Sequence, residues 1–195
     1  MACVAGQPAA VRMVRTMKRT LALAGSLATL LGGTLAAATL QITSTAFPAN
    51  GAIPSKYTCD GQNINPPLAF ASIPPKTQSL VLIMDDPDVP KNLMPSGVFD
   101  HWLIWDLPAE SKGVGEAAPE AKRGLNGMGQ PGYTGPCPPD REHRYFFKLY
   151  ALDTTLGDLS TPKKDALERA MRGHVLAQTE LIGTYERGAR KTSAR

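Results

Sequence analysis

The stretch SLVLIMDDPDVP, Ser79 to Pro90, decides how this chain is expected to fold. Its first part, Ser79 to Met84, is an apolar run, and a short apolar run bounded by turn residues is typical of a strand buried on both faces. The run ends at three carboxylates and two prolines, which mark a turn. The stretch therefore predicts a central strand with acidic side chains at its end.

The three carboxylates Asp85, Asp86 and Asp88 admit three uses. They could form a metal site, supply an acid and a base, or line one wall of a pocket for a polar ligand. Asp before Pro is also common turn chemistry, so any of them could simply hold the turn. The sequence gives Asp85 no specific role.

Two later stretches alternate with the two-residue period of a strand. The stretch HWLIWDL is expected to place four side chains on one face, namely His101, Leu103, Trp105 and Leu107. The stretch HRYFFKLYAL is expected to do the same with His143, Tyr145, Phe147 and Leu149. Strands are therefore expected to build most of the core.

The period changes to that of a helix near the C-terminus. Thr161 is a candidate N-cap, with Pro162 at the first helical position. Apolar residues recur at helical spacing from Leu167 to Ile182, with His174 on the apolar stripe as a core or interface histidine. Gly173 could divide this segment into two helices. The prediction is a mainly β fold, an antiparallel β-sandwich with C-terminal helices.

The N-terminal segment has the pattern of an export signal. Four basic residues precede an apolar stretch and the small-residue run Ala36 to Ala38, so residues 1–38 are predicted to be a secretory signal peptide. A buried or membrane-anchoring helix is the alternative, and Met17 could be the true start. The remaining length suits one domain, residues 39–187, followed by a basic flexible tail, 188–195. The predicted location is periplasmic or secreted.

Charge and cysteine content change once the leader is set aside. It holds four of the 21 Lys and Arg residues and none of the 17 Asp and Glu residues, so the remainder has 17 of each sign. No nucleic-acid partner is therefore expected. Cys59 and Cys137 remain, and in an oxidising compartment they are a candidate disulfide, with two free thiols as the equal alternative. Neither cysteine has a second ligand at zinc spacing, and no metal or cofactor is expected.

Polar clusters stand at three strand ends. They lie at Asp85 to Asp88, at Asp100 and His101, and in the loop GYTGPCPPDREHRY, Gly132 to Tyr145. Because His143 and Tyr145 share a face, their polar atoms could converge on one ligand. Gly135 would let a backbone N–H approach an anion closely. Together these groups predict a small pocket for a ligand rich in acceptors, such as a phosphate ester.

Five motifs resemble, in order, those of the phosphatidylethanolamine-binding protein family, and most closely its bacterial Raf-kinase-inhibitor-like branch. They are YTCDGQNINPPL, DDPDVP, HWLIWDLP, GYTGPCPPDREHRYFFKLYALD and GHVLAQTELIGTYER. The resemblance implies antiparallel sheets and an anion pocket. Carried to this chain, the pocket residues are Asp86, His101, His143 and Tyr145, with the loop wall formed by Gly135, Cys137 and Pro138.

Two features qualify the match to the family. The segment KNLMPSGVFD, between the first two pocket motifs, carries apolar residues and is expected beside the pocket mouth, where it could change ligand choice. The spacing within GPCPPDREHRY differs from the eukaryotic members. Asp88 is expected to be structural, in a pair with Arg144.

Three functions are consistent with these residues. The leading one is an exported binding protein for an anionic or phosphorylated small ligand, with at most peripheral contact to lipid head groups and no turnover. The second is a modulator of a partner kinase or protease. The third is a phosphoester hydrolase that uses the Asp and His residues. A homodimer is possible.

Overall fold

The structure, a computed structural model, describes residues 39–119 and 122–188, together with residue 2. The predicted signal peptide and nearly all of the predicted basic tail lie outside the described residues. The described chain forms eight strands, one α-helix and a 3-10 turn at Ser55–Tyr57. In chain order the others are β1 (Gln41–Thr43), β2 (Gly51–Ala52), β3 (Leu68–Ala71), β4 (Ser79–Asp86), β5 (Phe99–Pro108), β6 (Gly113–Val114), β7 (His143–Leu152), α1 (Lys164–Met171) and β8 (Val175–Tyr185).

The strands form two sheets. The smaller has the order β1-β3-β6 and the larger β2-β8-β7-β4-β5. All pairs are antiparallel except β2 with β8. Side chains such as Phe70 from the small sheet and Phe147 from the large one share one apolar core. The prediction of a mainly β, antiparallel, sandwich-like fold is confirmed.

The strand β4 is buried on both faces along its whole length, as its apolar run predicts. Leu80, Leu82 and Met84 belong to the core between the sheets. Val81 and Ile83 face the other way and pack with residues of α1 in a second core. The middle strand of the large sheet therefore lies between the small sheet and the helix.

The prediction that the alternate side chains from His101 to Leu107 share one face of β5 is wrong, because two β-bulges interrupt the pairing of β5 with β4. One bulge makes His101 the extra residue, since Met84 pairs with Trp102 and the next residue pairs with Asp100. The other lies near Asp106, which has a positive φ of 53°. Each bulge changes which face the following residues occupy.

The consequence for β5 is that its predicted row of side chains is divided between the two cores. Leu103 and Trp105 lie in the core beside α1. Leu107 packs against the core between the sheets. The corresponding prediction for β7 is confirmed: Tyr145, Phe147 and Leu149 lie in the core between the sheets, and His143 is buried.

The predicted C-terminal helix is correct only in its first part. The helix α1 begins at Lys164, with Lys163 rather than Thr161 as its N-cap residue, and it ends before Gly173, whose φ is +84°. The residues after Gly173 form β8 instead. The apolar spacing there fits both periods, and the open edge of β7 takes this segment as a strand.

The change from helix to strand moves His174 away from any core. His174 is exposed in the turn before β8, and its Nδ1 lies 2.8 Å from Oδ1 of Asp153. The expectation of a core or interface histidine is therefore wrong.

Cys59 and Cys137 form a disulfide, with their Cα atoms 5.4 Å apart. The bond joins the loop after the 3-10 turn to the loop before β7, and the N–H of Cys59 also donates to the carbonyl of Pro136 at 3.1 Å. Of the two alternatives that the sequence leaves open, the structure has the bonded one. No helix within the described residues is long and apolar enough to span a membrane.

Candidate functional site

The three acids after the apolar run of β4 point to three different places. Asp85 is buried on the side of α1, where its Oδ2 accepts hydrogen bonds from Lys148 and Lys164. Asp88 accepts a two-pronged ion pair from Arg144, with both N–O distances 2.8 Å. Asp86 instead points toward His143. The acidic motif is therefore not one site.

Asp86 is the first member of a buried chain of hydrogen bonds. Its Oδ2 lies 2.7 Å from Nδ1 of His143, and its Oδ1 accepts the N–H of Asp88 at 2.8 Å. The other ring nitrogen of His143, Nε2, lies 2.8 Å from Oδ1 of Asp140. His143 is completely buried, whereas the side chain of Asp140 is 44% exposed. The chain thus leads from a buried carboxylate to one at the surface.

The number of protons in this chain follows from its geometry. Each nitrogen–oxygen contact needs one hydrogen, so Asp86, His143 and Asp140 together hold two protons and a net charge of −1. Burial raises the pKa of Asp86, although the hydrogen bond from His143 opposes that shift. The hydrogen bond with His143 lowers the pKa of Asp140. Asp86 is therefore the carboxylate that takes the next proton most readily.

His101 stands beside this chain as a neutral imidazole. Its Nδ1 lies 2.8 Å from the carbonyl oxygen of Thr134. Because a carbonyl can only accept, Nδ1 carries the hydrogen and Nε2 is left as an acceptor. Burial lowers the pKa of His101 to about 4. The imidazole ring packs on Phe99 and Tyr145, with centroid distances of 4.7 and 5.2 Å.

Tyr145 is fully buried, and its hydroxyl has no hydrogen-bond partner among the described residues. Burial raises its pKa, so the hydroxyl keeps its proton. A buried hydroxyl without a partner costs about 1–3 kcal/mol. Such an atom is a candidate for contact with a ligand.

A cavity of about 350 Å³ opens above Asp86 and His101. One side comes from the loop before β7 and includes Thr134 as well as Met128, and the other is apolar and comes from the segment between β4 and β5. Among the described residues that line the cavity, none is Lys or Arg. The lining consists of Asp86, Val89, Leu93, Met94, Phe99, His101, Met128, Thr134, Gly135, Cys137 and Pro139.

The structure brings together most, but not all, of the predicted pocket residues. Asp86, His101, Gly135 and Cys137 line the cavity. His143 and Tyr145 lie behind that lining, where they contact Asp86 and His101. The buried residue Pro138 borders a neighbouring cleft instead.

Gly135 has a packing role in this structure. Its N–H donates to Oδ1 of Asn63 at 2.7 Å, so it would have to leave Asn63 in order to bind an anion. A Cβ at this position would lie 2.4 Å from the carbonyl oxygen of Tyr57. Glycine is therefore required here for close approach of two loops.

The apolar segment between β4 and β5 lies where the sequence predicts it, whereas other residues near the cavity escape prediction. The apolar side chains of Leu93, Met94 and Phe99 line the cavity, where the segment KNLMPSGVFD is expected. Asp140 was missed, although it stands three residues before His143 in a turn. Met128, which is 67% exposed, has no sequence signal other than its position among glycines. Within the described residues, no group of three His, Cys, Asp or Glu side chains could hold a metal ion.

Fold and cavity together define a two-sheet β protein with a cavity at the strand ends of its larger sheet. The sequence pattern of the family described as phosphatidylethanolamine-binding protein matches residues 43–186. The chain belongs to this family.

Relatives and solved structures agree with that assignment. A UPF0098 protein from Methanothermobacter thermautotrophicus is 48% identical over 157 residues, which is 76% of this chain and 100% of the relative. One from Chlamydia pneumoniae is 46% identical over 149 residues, 76% of this chain and 99% of the relative. The crystal structure of a phosphatidylethanolamine-binding protein homologue from Chlamydia trachomatis is 45% identical with a TM-score of 0.74, covering 76% of this chain and 97% of that one.

A more distant structure supports the fold alone. YbcL from E. coli, described as a member of the mammalian PEBP family, is 24% identical, with a TM-score of 0.68 over 76% of this chain and 99% of that one. The resemblance to the bacterial branch of the family is confirmed by the family match and by the relatives from Chlamydia that are 45–46% identical.

Proposed function

We propose that the cavity binds a small anion of the phosphate-ester class without transforming it. The observation that carries this proposal is the chain of hydrogen bonds that starts at Asp86 in the cavity lining and runs through His143 to Asp140. With no Lys or Arg among the described residues of the lining, the donors for an anion must be neutral ones. A protonated Asp86 is such a donor, because its O–H can bind an anionic oxygen without an opposing charge.

Apolar side chains from both sides of the cavity favour an ester over a bare anion. Leu93 and Met128 are 61% and 67% exposed at the mouth, and Phe99 lies deeper. Apolar surface of this kind is stabilised when an alkyl group covers it, by about 25 cal/mol for each Å² removed from water. We therefore expect an anionic head near Asp86 and an apolar group against Met128.

The contacts favour binding over hydrolysis. Both ring nitrogens of His143 are engaged by carboxylates, so neither is free to accept a proton from water. His101 has a free Nε2, but with a pKa of about 4 it is a weak base. We expect no release of phosphate from butyl phosphate. Modulation of a kinase or protease stays a prediction.

Export to the periplasm or cell surface is also part of the proposal. The disulfide between Cys59 and Cys137 supports it, because such bonds persist in oxidising compartments. The signal peptide on which it depends lies outside the described residues. Fractionation of cells that express the chain, with and without residues 1–38, tests it.

The test of ligand binding uses calorimetry and thermal shift with phosphate, methyl phosphate and butyl phosphate. At a hundredfold excess over Kd, a ligand stabilises the protein by about 2.7 kcal/mol. The affinity should rise from phosphate to butyl phosphate. If none of the three binds, the proposal is rejected.

A matched pair of variants locates the site. Met128→Glu places a negative charge at the mouth, whereas Met128→Gln makes the same change in shape without the charge. At about 6 Å and a solvent-like dielectric, one charge costs the anion about 0.7 kcal/mol, or roughly threefold in Kd. We expect that loss only for Met128→Glu. Equal affinities for the two variants would place the anion elsewhere.

A further inference from the structure

His101 presents a free nitrogen lone pair to the cavity. Its Nδ1–H donates to the carbonyl oxygen of Thr134 at 2.8 Å, so the lone pair of the neutral ring lies on Nε2. No described group forms a hydrogen bond with Nε2. This nitrogen is also not among the fully buried atoms without a partner, so it is open to the cavity that His101 lines. The proposed anion has no use for this lone pair, because an anion needs donors.

The hydrogen bond at Nδ1 is of the kind that orients an imidazole for metal binding. Histidines that bind a metal almost always donate their other ring N–H to a carbonyl, carboxylate or water, which fixes the tautomer and the orientation of the ring. Here the acceptor is Thr134, and the ring also packs on Phe99 and Tyr145. With a pKa of about 4, the ring holds no second proton near neutral pH, so a metal ion need not displace one.

Two methionine side chains line the same cavity. Met94 comes from the segment between β4 and β5, and Met128 comes from the loop before β7. The sulfur of Met128 lies 4.0 Å from Oγ1 of Thr134, the residue whose carbonyl accepts the Nδ1–H of His101. Methionine is unbranched and has three rotatable bonds, so both sulfur atoms can turn toward one ion in the cavity.

Methionine is also a common gap-filling residue of hydrophobic cores. Met84 and Met171 have that role here, since each is buried in one of the two cores. Met94 is only half-buried, and Met128 is 67% exposed. Core packing therefore does not explain a thioether at positions 94 and 128.

We propose that the cavity binds a soft monovalent metal ion, of the copper(I) and silver(I) class, through Nε2 of His101 and the sulfur atoms of Met94 and Met128. Thioethers are soft ligands that select copper(I), and imidazole also suits copper. Zinc, calcium and magnesium favour His, Cys and carboxylate ligands, and the described residues offer no group of three of these. The charge of the lining also suits a cation, because its described residues include Asp86 and neither Lys nor Arg.

The test uses silver(I), which has the same closed-shell configuration as copper(I), in a nitrate buffer. The protein is the full chain with Cys3→Ser, because a free thiol would bind silver in place of the cavity, whereas the other two cysteines form the disulfide. Nuclear magnetic resonance follows the methionine methyl groups and the ring nitrogens of His101 during the titration. The signals of Met94, Met128 and His101 Nε2 should shift together up to one equivalent of silver.

The two buried methionines serve as internal controls in the same titration. The methyl signals of Met84 and Met171 should not shift, because these side chains lie in the cores. Met171→Leu should likewise leave the silver affinity unchanged.

Three variants remove the ligands one at a time. Met94→Leu and Met128→Leu nearly conserve volume and remove only the sulfur. His101→Asn offers an amide N–H in place of the Nδ1–H that Thr134 accepts, and it removes Nε2. Each variant should bind silver at least about tenfold more weakly, since that is the smallest usual loss when even an outer partner of a metal site is removed. Circular dichroism with thermal unfolding shows whether each variant is folded.

Silver that leaves the signals of Met94, Met128 and His101 unchanged overturns the proposal. Equal affinities of the parent chain and the two leucine variants overturn it as well, and so does full affinity in His101→Asn. Failure here leaves the anion site untouched. The anion proposal depends on a proton on Asp86, and its own titrations contain no silver.

Discussion

Replacement of Asp86 by Asn should make anion binding independent of pH. The proposed anion binds only when Asp86 carries a proton. In the Asp86→Asn variant, the amide oxygen would keep the acceptor for His143 Nδ1, and the amide nitrogen would take the place of Oδ1 as a permanent N–H donor. The variant therefore supplies the donor of the protonated state at every pH, at the cost of the hydrogen bond that Oδ1 accepts from the N–H of Asp88.

The pH dependence of anion affinity in the wild type follows from the number of titrating groups that face the ligand. Among the described residues of the cavity lining, Asp86 is the one carboxylate. His101, with its pKa of about 4, stays neutral between pH 6 and 8. A single proton taken up on binding weakens the affinity tenfold for each pH unit above the pKa of Asp86, so the wild-type affinity should fall as the pH rises, by at most about 100-fold between pH 6 and pH 8.

The titratable groups around Asp86 are not expected to take up a further proton when the anion binds. Asp140 faces the outer nitrogen of His143 and has a lowered pKa, so it stays ionised in this range. Asp88 is held ionised by Arg144. Tyr145 keeps its hydroxyl proton because burial raises its pKa. Both ring nitrogens of His143 are engaged by carboxylates.

The assay is calorimetry with sulfate, which has no proton to exchange in this pH range. Titrations in two buffers with different ionisation enthalpies give the number of protons taken up, expected to be about one for the wild type and zero for Asp86→Asn. The variant should bind sulfate more tightly than the wild type at pH 8. Binding by the wild type with no proton uptake and no pH dependence would refute the role given to Asp86, and weaker binding by the variant at every pH would also refute it.

Three further predictions concern the residues that support the cavity. Hydrogen bonds from Arg144 lower the pKa of Asp88 to about 2. This ion pair therefore stabilises the fold above pH 4, by about 2 kcal/mol or about 1 after solvent screening, and the stabilisation is lost as the pH falls toward 2. The Asp88→Asn variant should lack this part of the pH dependence in acid denaturation. Replacing both Cys59 and Cys137 by Ser should lower the free energy of unfolding in urea by about 2–4.5 kcal/mol, and a reductant should affect only the wild type. Tyr145→Phe should raise the free energy of unfolding by up to about 1 kcal/mol, because it removes a buried hydroxyl without a partner among the described residues.

The elements that the sequence predicts well are those that depend on local pattern. The apolar run of β4 can only be satisfied by burial on both faces, and the alternation in β7 needs one buried side. The fate of residues 175–185 could not be predicted in this way. Their spacing suits a helix or a strand, and the exposed edge of β7, which is formed by distant residues, determines the outcome.

The different positions and partners of the three acids were only partly predictable from the sequence. Asp85 and Asp86 are adjacent in the chain, which places them on opposite faces of a strand. Which face leads to the cavity depends on Lys148 and Lys164, which lie 63 and 79 residues away in the chain and hold Asp85. Asp140 was missed for the same kind of reason, because an acid in a polar turn has no local sign of a buried partner.

The position of His101 shows why the detailed structure of the cavity could not be predicted from the sequence. Strict alternation would put His101 beside Leu103, in the core that faces α1. The bulge inserts His101 as an extra residue, and its ring instead contacts Phe99 and Tyr145 on the cavity side. There its Nδ1–H donates to the carbonyl of Thr134 and holds the loop before β7 in place. One unpaired residue in a strand thus moves an imidazole from one face of the sheet to the other, and the site depends on that irregularity rather than on the regular pattern around it.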